Sequence, residues 1–255
     1  MKKVFLAILA TIAVVGMVSC NKDDNGKGGK GGKKAVEVNV KIDGDFADWA
    51  DVEGIEVPEG APDDHAALLT LKAAADATNL YVYIESQLAE GQSAAPIEFF
   101  INNDGDTSTG FSSWIWSNVG WEFMLESEVG YIQVDTLSKE PLKTEVKIRN
   151  MAEDMNVYKS KVWQGADGAQ LDGWDKTGGA VMEQLELSGF CTSAGKVVNG
   201  IAFVEISITR SAINARAKGS LGLGVAVYDQ DWNDIGILPI GTDTGEVDMM
   251  EVALP

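Results

Sequence analysis

The chain has 255 residues, with 39 Asp and Glu against 20 Lys and Arg and a formal net charge of -19. Such a surface repels nucleic acid and anionic head groups, while neutral ligands and divalent cations remain compatible with it. One histidine, His65, and two cysteines, Cys20 and Cys191, give no basis for a His-rich zinc site and leave a Ser-His-Asp triad a single ring to use.

The first predicted element is a leader. Lys2 and Lys3 precede an almost unbroken apolar run from Val4 to Val15, and Gly16 to Ser19 lead to Cys20. A basic start, a short apolar stretch and small residues before a cleavage point make the secretory pattern, and the run is short for a bilayer span. Met17-Val18-Ser19-Cys20 resembles the lipobox of bacterial lipoproteins, which implies cleavage after residue 19 and acylation of Cys20. Residues 20–35 then read as the lipidated Cys and a flexible Gly- and Lys-rich tether without apolar pattern. Lys22-Asp23-Asp24 resembles a lipoprotein surface-export tag, so the expected location is the outer membrane, exposed at the cell surface. The lipid would be the only membrane contact.

Residues 36–255 are long enough for one large β domain. Period-two alternation recurs along them: Val36 to Ile42, Leu69 to Ala75, Leu80 to Ile84, Ile97 to Ile101 and Ala202 to Ile208. Leu221 to Tyr228 and Val247 to Leu254 supply late strands, and Asp-Gly and Gly-Gly pairs punctuate the connections. Arg210 to Lys218 is the one plausible short helix. The absence of alternating strands and long helices argues against a parallel α/β sheet. The predicted fold is all-β, a two-sheet antiparallel β-sandwich, jelly-roll-like, with at most one short helix. Cys191, in Leu187-Ser188-Gly189-Phe190-Cys191, reads as a small core hydrophobe.

Four ordered segments carry a further likeness. Ile42-Asp43-Gly44-Asp45-Phe46-Ala47-Asp48-Trp49 resembles the opening motif of family 9 carbohydrate-binding modules and their DOMON-like relatives. Asn79 to Ile84 is similar to the strand that follows it there, and Phe99 to Phe111 to the family's strand and acidic loop. Phe203 to Ile208 resembles a late strand, although Thr209-Arg210 stands where a Pro is usual. The resemblance spans roughly residues 40 to 255. It implies a β-sandwich that commonly binds sugars and often holds structural calcium.

In the acidic loop, Asn102, Asp104, Asp106 and Ser108 alternate, and their oxygens can converge if the chain curls at Gly105. Calcium takes six to eight oxygen ligands, so Asn102, Asp104 and Asp106 are the candidate metal ligands; the alternative is a solvated Asx-turn hairpin. Asp229, Asp231 and Asp234 around Trp232 form a second acidic group, read as a turn. Of the seven tryptophans, Trp49 reads as core. Trp114, Trp116 and Trp121 crowd one Gly- and Ser-rich segment and are the candidate sugar platform, because indole combines apolar area with a polar edge. The alternative for them is an aromatic plug. Trp163, Trp174 and Trp232 are secondary candidates.

The leading expectation is a non-catalytic carbohydrate-binding lipoprotein on the cell surface, with a poly- or oligosaccharide partner and no nucleic acid. Its rival is a structural or protein-binding surface lipoprotein of the same fold with no sugar ligand. Exposed rings favour the first and buried rings the second. A glycan-cleaving enzyme would need a cleft with two facing carboxylates.

Overall fold

The computed structural model describes residues 38–62, 65–88, 94–107, 109–112, 115–116, 119–135, 144–148, 151, 155–160, 182–240 and 249–255. The expected leader and tether with Cys20 lie outside these residues, as do Trp114, Trp163 and Trp174. Among the described residues no helix is long and apolar enough to cross a membrane.

The described residues are mostly strands. In chain order these are β1 (Gly54–Glu56), β2 (Leu68–Ala75), β3 (Asn79–Gln87), β4 (Ala94–Asn102), β5 (Phe111–Ser112), β6 (Gly120–Trp121) and β7 (Phe123–Asp135). They continue as β8 (Thr144–Ile148), β9 (Asn156–Ser160), β10 (Met182–Leu185), β11 (Cys191–Val198), β12 (Ile201–Thr209), β13 (Gly219–Tyr228), β14 (Asp234–Leu238) and β15 (Met250–Leu254). One layer runs β1-β2-β3-β12-β11-β8. The other runs β10-β9-β7-β4-β13, with β14 and β15 sharing the far edge of β13. The strand pairs within both layers are antiparallel.

The long strand β7 joins the layers. Its first part, Phe123 to Gly130, pairs with β4, and Tyr131 to Asp135 pair with β8 of the opposite layer. A strand that changes sheets lets one apolar core be closed from both sides. That core takes Leu71, Leu80, Val82, Ile84, Val204, Ile206 and Ile208 from one layer. Ile97, Phe99, Ile101, Phe123, Leu125, Leu223 and Val225 come from the other. Burying each such side chain contributes about 1.5–3 kcal/mol. Cys191 belongs to this core, and burial pushes its thiol up to about 11. The predicted sandwich is the observed architecture. Its β11–β12 turn is closed by Asn199 and Gly200, both with positive φ (53° and 81°), the geometry tight hairpins require.

Three local expectations change. The segment from Val38 to Ile42 alternates in burial but joins no ladder. Val40 instead packs with Trp49 and Tyr83 as a small separate cluster, and alternation reports one-sided burial whether or not a neighbour strand exists. In β2 the register shifts between Leu68 and Thr70, so Leu68 as well as Leu71 enters the core while Leu69 is half-buried. Residues 210–218 are not helical. The Arg210 guanidinium donates to the carbonyls of Asp76 and Arg216, and Asn214 adopts φ 47°, a left-handed step that ends any helical path.

Candidate functional site

Strand β4 has two faces. Ile97, Phe99 and Ile101 point to the core, so Glu98, Phe100 and Asn102 point to the opposite side of their layer. Register sets their neighbours. Ala226 on β13 opposes Glu98, Glu98 opposes Glu126 on β7, and Glu126 opposes Asn156 on β9. One step along, Gly224, Phe100, Met124, Tyr158 and Gln184 form the parallel row.

Hydrogen bonds stitch the polar row. Tyr228 Oη donates to Glu98 Oε2 at 2.5 Å, Asn156 Nδ2 to Glu126 Oε1 at 3.2 Å, and Gln184 Nε2 to Asn156 Oδ1 at 3.1 Å. Glu98 is its floor, only 2% exposed, while Glu126, Asn156 and Tyr158 are half-buried and Gln184 is exposed. Burial, reinforced by the charges of Glu126 and Asp234, pushes the Glu98 carboxyl up to about 7 despite the opposing bond from Tyr228. Burial and the charges of Glu126 and Glu98 also raise the Tyr158 phenol. At neutral pH such a row presents carboxylate and amide acceptors together with amide and phenol donors.

The sequence-predicted aromatics are placed differently from expectation. Trp116 and Trp121 are both 0% exposed. They pack edge-on against Phe100, at 5.3 Å and 5.4 Å between centroids, in a second cluster with Phe111, Val119, Met124, Ala226 and Ile237. Trp116 Nε1 donates to the Pro239 carbonyl at 3.1 Å. A Cβ on Gly224 would stand 2.8 Å from the Trp116 ring, so that ring lies flat on the sheet. The physical reason is Phe100 and Met124: the outer face of the layer is apolar there and needs covering. These two rings form a plug and offer no free face. Trp114 lies outside the described residues.

The acidic loop is tied to itself. Gly105 N donates to Asn102 Oδ1 at 2.6 Å, Asp106 N to Asp104 Oδ1 at 2.8 Å, and Thr109 Oγ1 to Asp104 Oδ2 at 3.0 Å. Asn102 Nδ2 donates to the carbonyls of Asp106 and Gly120. Beneath the loop, Glu122 is buried and accepts from Asn103 N and Thr109 Oγ1. Burial and the charge of Asp104 push it up to about 7. Asn102 and Asp104 thus accept from the loop's own donors, as in an Asx-turn. Among the described residues no group of three or more His, Cys, Asp or Glu is placed to hold a metal ion.

The opening motif and the late strand meet. Glu205 on β12, fully buried, accepts from Asp43 N (2.7 Å) and Gly44 N (2.6 Å) through Oε1 and from Trp49 Nε1 (2.9 Å) through Oε2. Burial raises its carboxyl, and these donors oppose the shift. The contact fastens residues 43–49 onto the first layer, with Trp49 stacked on Tyr83 at 5.4 Å. Trp49 is core, as expected.

At the far end of β13, Asp229 closes the turn to β14. Its carboxylate accepts from Asp231 N, Asn233 N and Asn233 Nδ2. Trp232 in that turn has φ 64° and is 52% exposed, and its ring lies 5.4 Å from that of Tyr228. The predicted turn is thus observed, with an exposed indole on it.

Glu98, Glu126, Asn156 and Gln184 were not singled out by sequence reasoning. Glu98 did leave a signal, a carboxylate inside the apolar run Ile97 to Ile101 whose off-core neighbour Phe100 is apolar too. Its partners depend on strand register, which alternation within one strand does not carry.

No protein-family model and no curated protein matches the chain. Among solved structures it is similar to a family 9 carbohydrate-binding module from Caldicellulosiruptor kristjanssonii in complex with cellotriose. Identity is 15% and the TM-score 0.42, over 85% of this chain and 89% of that one. A family 9 module from Caldicellulosiruptor kristjanssonii in complex with glucose matches at 15% identity and TM-score 0.42, over 87% of this chain and 94% of that one.

Proposed function

We propose that the chain is a non-catalytic carbohydrate-binding protein, held at the outer membrane surface by lipid on Cys20, whose sugar site is the polar outer row of the second layer. The observation that carries the reading is the cross-strand row Glu98–Glu126–Asn156, with Gln184 bonded to Asn156 and Tyr228 and Tyr158 beside the row. Sugars are dense in hydroxyls that donate and accept. A sheet face offering carboxylate, amide and phenol groups at strand spacing, next to apolar surface, matches that chemistry. The formal charge of -19 favours a neutral glycan over an anionic one. The resemblance of the ordered segments to family 9 modules points the same way.

A glycan array probed with the purified chain tests this. Binding to at least one neutral poly- or oligosaccharide, lost in Glu126→Gln with unchanged melting and in Glu98→Gln without a lowered melting temperature, is the expected outcome. Glu98 and Glu126 face each other across one strand pair, so the bound glycan should also be assayed for new reducing ends. Their release would replace the non-catalytic reading with hydrolysis.

The rival, a protein-binding or structural surface lipoprotein without sugar ligand, is favoured by the burial of Trp116 and Trp121. A chain that binds no glycan on a broad plant, host and microbial panel would establish the rival as the better reading.

A further inference from the structure

We infer that Trp232 is a stacking platform for sugar, carrying the apolar face of one neutral ring beside the exposed polar groups of its own turn; the inference rests on the carbohydrate reading above. Three observations bear on it. The first is exposure: Trp232 is the most exposed of the large apolar side chains among the described residues, at 52%.

The second is backbone geometry. The turn is already closed without the indole, by Asp229 N to the Asn233 carbonyl (3.0 Å), Trp232 N to the Asp229 carbonyl (3.1 Å) and the three donors on the Asp229 carboxylate. Its fourth residue has φ 64°, which glycine or asparagine meets with little strain and a bulky side chain does not. A tryptophan there is strained and displays its ring to water. None of the turn's hydrogen bonds uses the ring, so what the ring does beyond its contact with Tyr228 is done outward.

The third observation is continuity with the polar row. The ring of Trp232 lies 5.4 Å from that of Tyr228, tilted by 43°, and Tyr228 Oη donates to Glu98 Oε2. Tyr228 and Glu98 are each only 2% exposed, so they back the plate, and the polar groups beside it that face water are those of Gln230, Asp231 and Asn233 in the turn itself. A pyranose presents the same pair of surfaces, an apolar C–H face and a polar rim, and indole suits the first of them. The turn residues Asp229, Gln230, Asp231, Asn233 and Asp234 include no cation, so the charge around the plate disfavours a uronic or sulfated ring. Asp229 acts as the positioning residue, because it fixes the turn that presents the indole.

The discriminating variant is Trp232→Gly, which removes the ring and relieves the backbone at once. The purified chain is titrated with the β-1,4-linked tetrasaccharides of glucose, xylose and mannose and with maltotetraose, following calorimetric affinity and tryptophan fluorescence. Melting temperatures are measured on the same samples. Trp232→Gly should melt no lower than wild type yet bind at least tenfold more weakly and lose the ligand-induced fluorescence change. Trp232→Phe should retain part of the affinity, and Asp229→Ala should weaken binding while lowering melting only slightly. If Trp232→Gly binds as tightly as wild type while Glu98→Gln does not bind, Trp232 is not the platform and the carbohydrate reading stands. If wild type binds none of the four sugars, this inference falls; if it also binds nothing on the glycan array, the carbohydrate reading falls with it.

Discussion

At the scale of single residues, the two buried indoles and the two buried glutamates make opposite demands. Trp116 and Trp121 contribute chiefly by burial, to which Trp116 adds its hydrogen bond to the Pro239 carbonyl. Replacing either by Ala should cost about 3–5 kcal/mol of stability, read as a shift in the urea midpoint at unchanged slope; a variant that melts like wild type would show that the plug is dispensable. Glu98 and Glu122 are each pushed from 4.5 up to about 7 by burial. A carboxyl raised in the folded state keeps its proton there after the unfolded chain has lost it. Its contribution is fully present below the unfolded value and is lost as pH rises through the folded one. Stability should therefore fall between about pH 4.5 and pH 7, by about 3 kcal/mol for each group. Glu98→Gln and Glu122→Gln should each flatten that slope. An unchanged pH profile of melting in both variants would place the titration elsewhere.

At the scale of elements, two loops are held by carboxylates in different ways. The strap 43–49 hangs on Glu205, which satisfies two backbone amides and one indole from a fully buried position. Glu205→Ala leaves the buried Trp49 Nε1 and two part-buried amides without their acceptor, which costs about 1–3 kcal/mol for each group that water cannot reach. Amide exchange at Asp43 and Gly44 should then speed up far more than in the β3–β12 ladder. Equal protection in variant and wild type would mean that the apolar contacts of Trp49 hold the strap unaided. In the acidic loop, Asn102 and Asp104 already accept from the loop's own donors. Chelators are accordingly expected to leave the melting curve where it is. Binding of calcium at a hundredfold excess over its dissociation constant would instead stabilise by about 2.7 kcal/mol. A chelator-sensitive melt, abolished by Asp104→Ala with Asp106→Ala, would show that the loop reorganises around the ion.

At the scale of the whole molecule, the proposed anchor is independent of the sandwich. Cys20→Ser should move the chain from the membrane fraction to the soluble one, or leave the leader uncleaved, without altering the domain's melting temperature. Failure of the wild-type chain to incorporate a labelled fatty acid would remove the lipoprotein reading while leaving the sugar site untouched.

Alternation of apolar side chains was enough to read the sandwich and most of its core from the sequence, because each strand's inward face is written locally, residue by residue: Leu80 to Ile84, Ile97 to Ile101 and Ala202 to Ile208 all pack as they alternate. The Asp229 turn was legible for the same reason, since Asx chemistry acts within a few residues. What lay beyond reach were facts about pairs of distant segments. Alternation assigned Glu98 to the non-core face but carried no information that Glu126 stands beside it and Asn156 beside Glu126, because register joins residues 28 and 30 positions apart. Likewise, composition made Trp116 and Trp121 look like a platform. Only the apolar outer face of β4 and β7, with Phe100 and Met124, turned them into a plug and left Trp232, on a turn with no sheet to cover, as the ring in water. Burial belongs to whatever the tertiary fold brings opposite a side chain, and that partner is not encoded in the side chain's own neighbours.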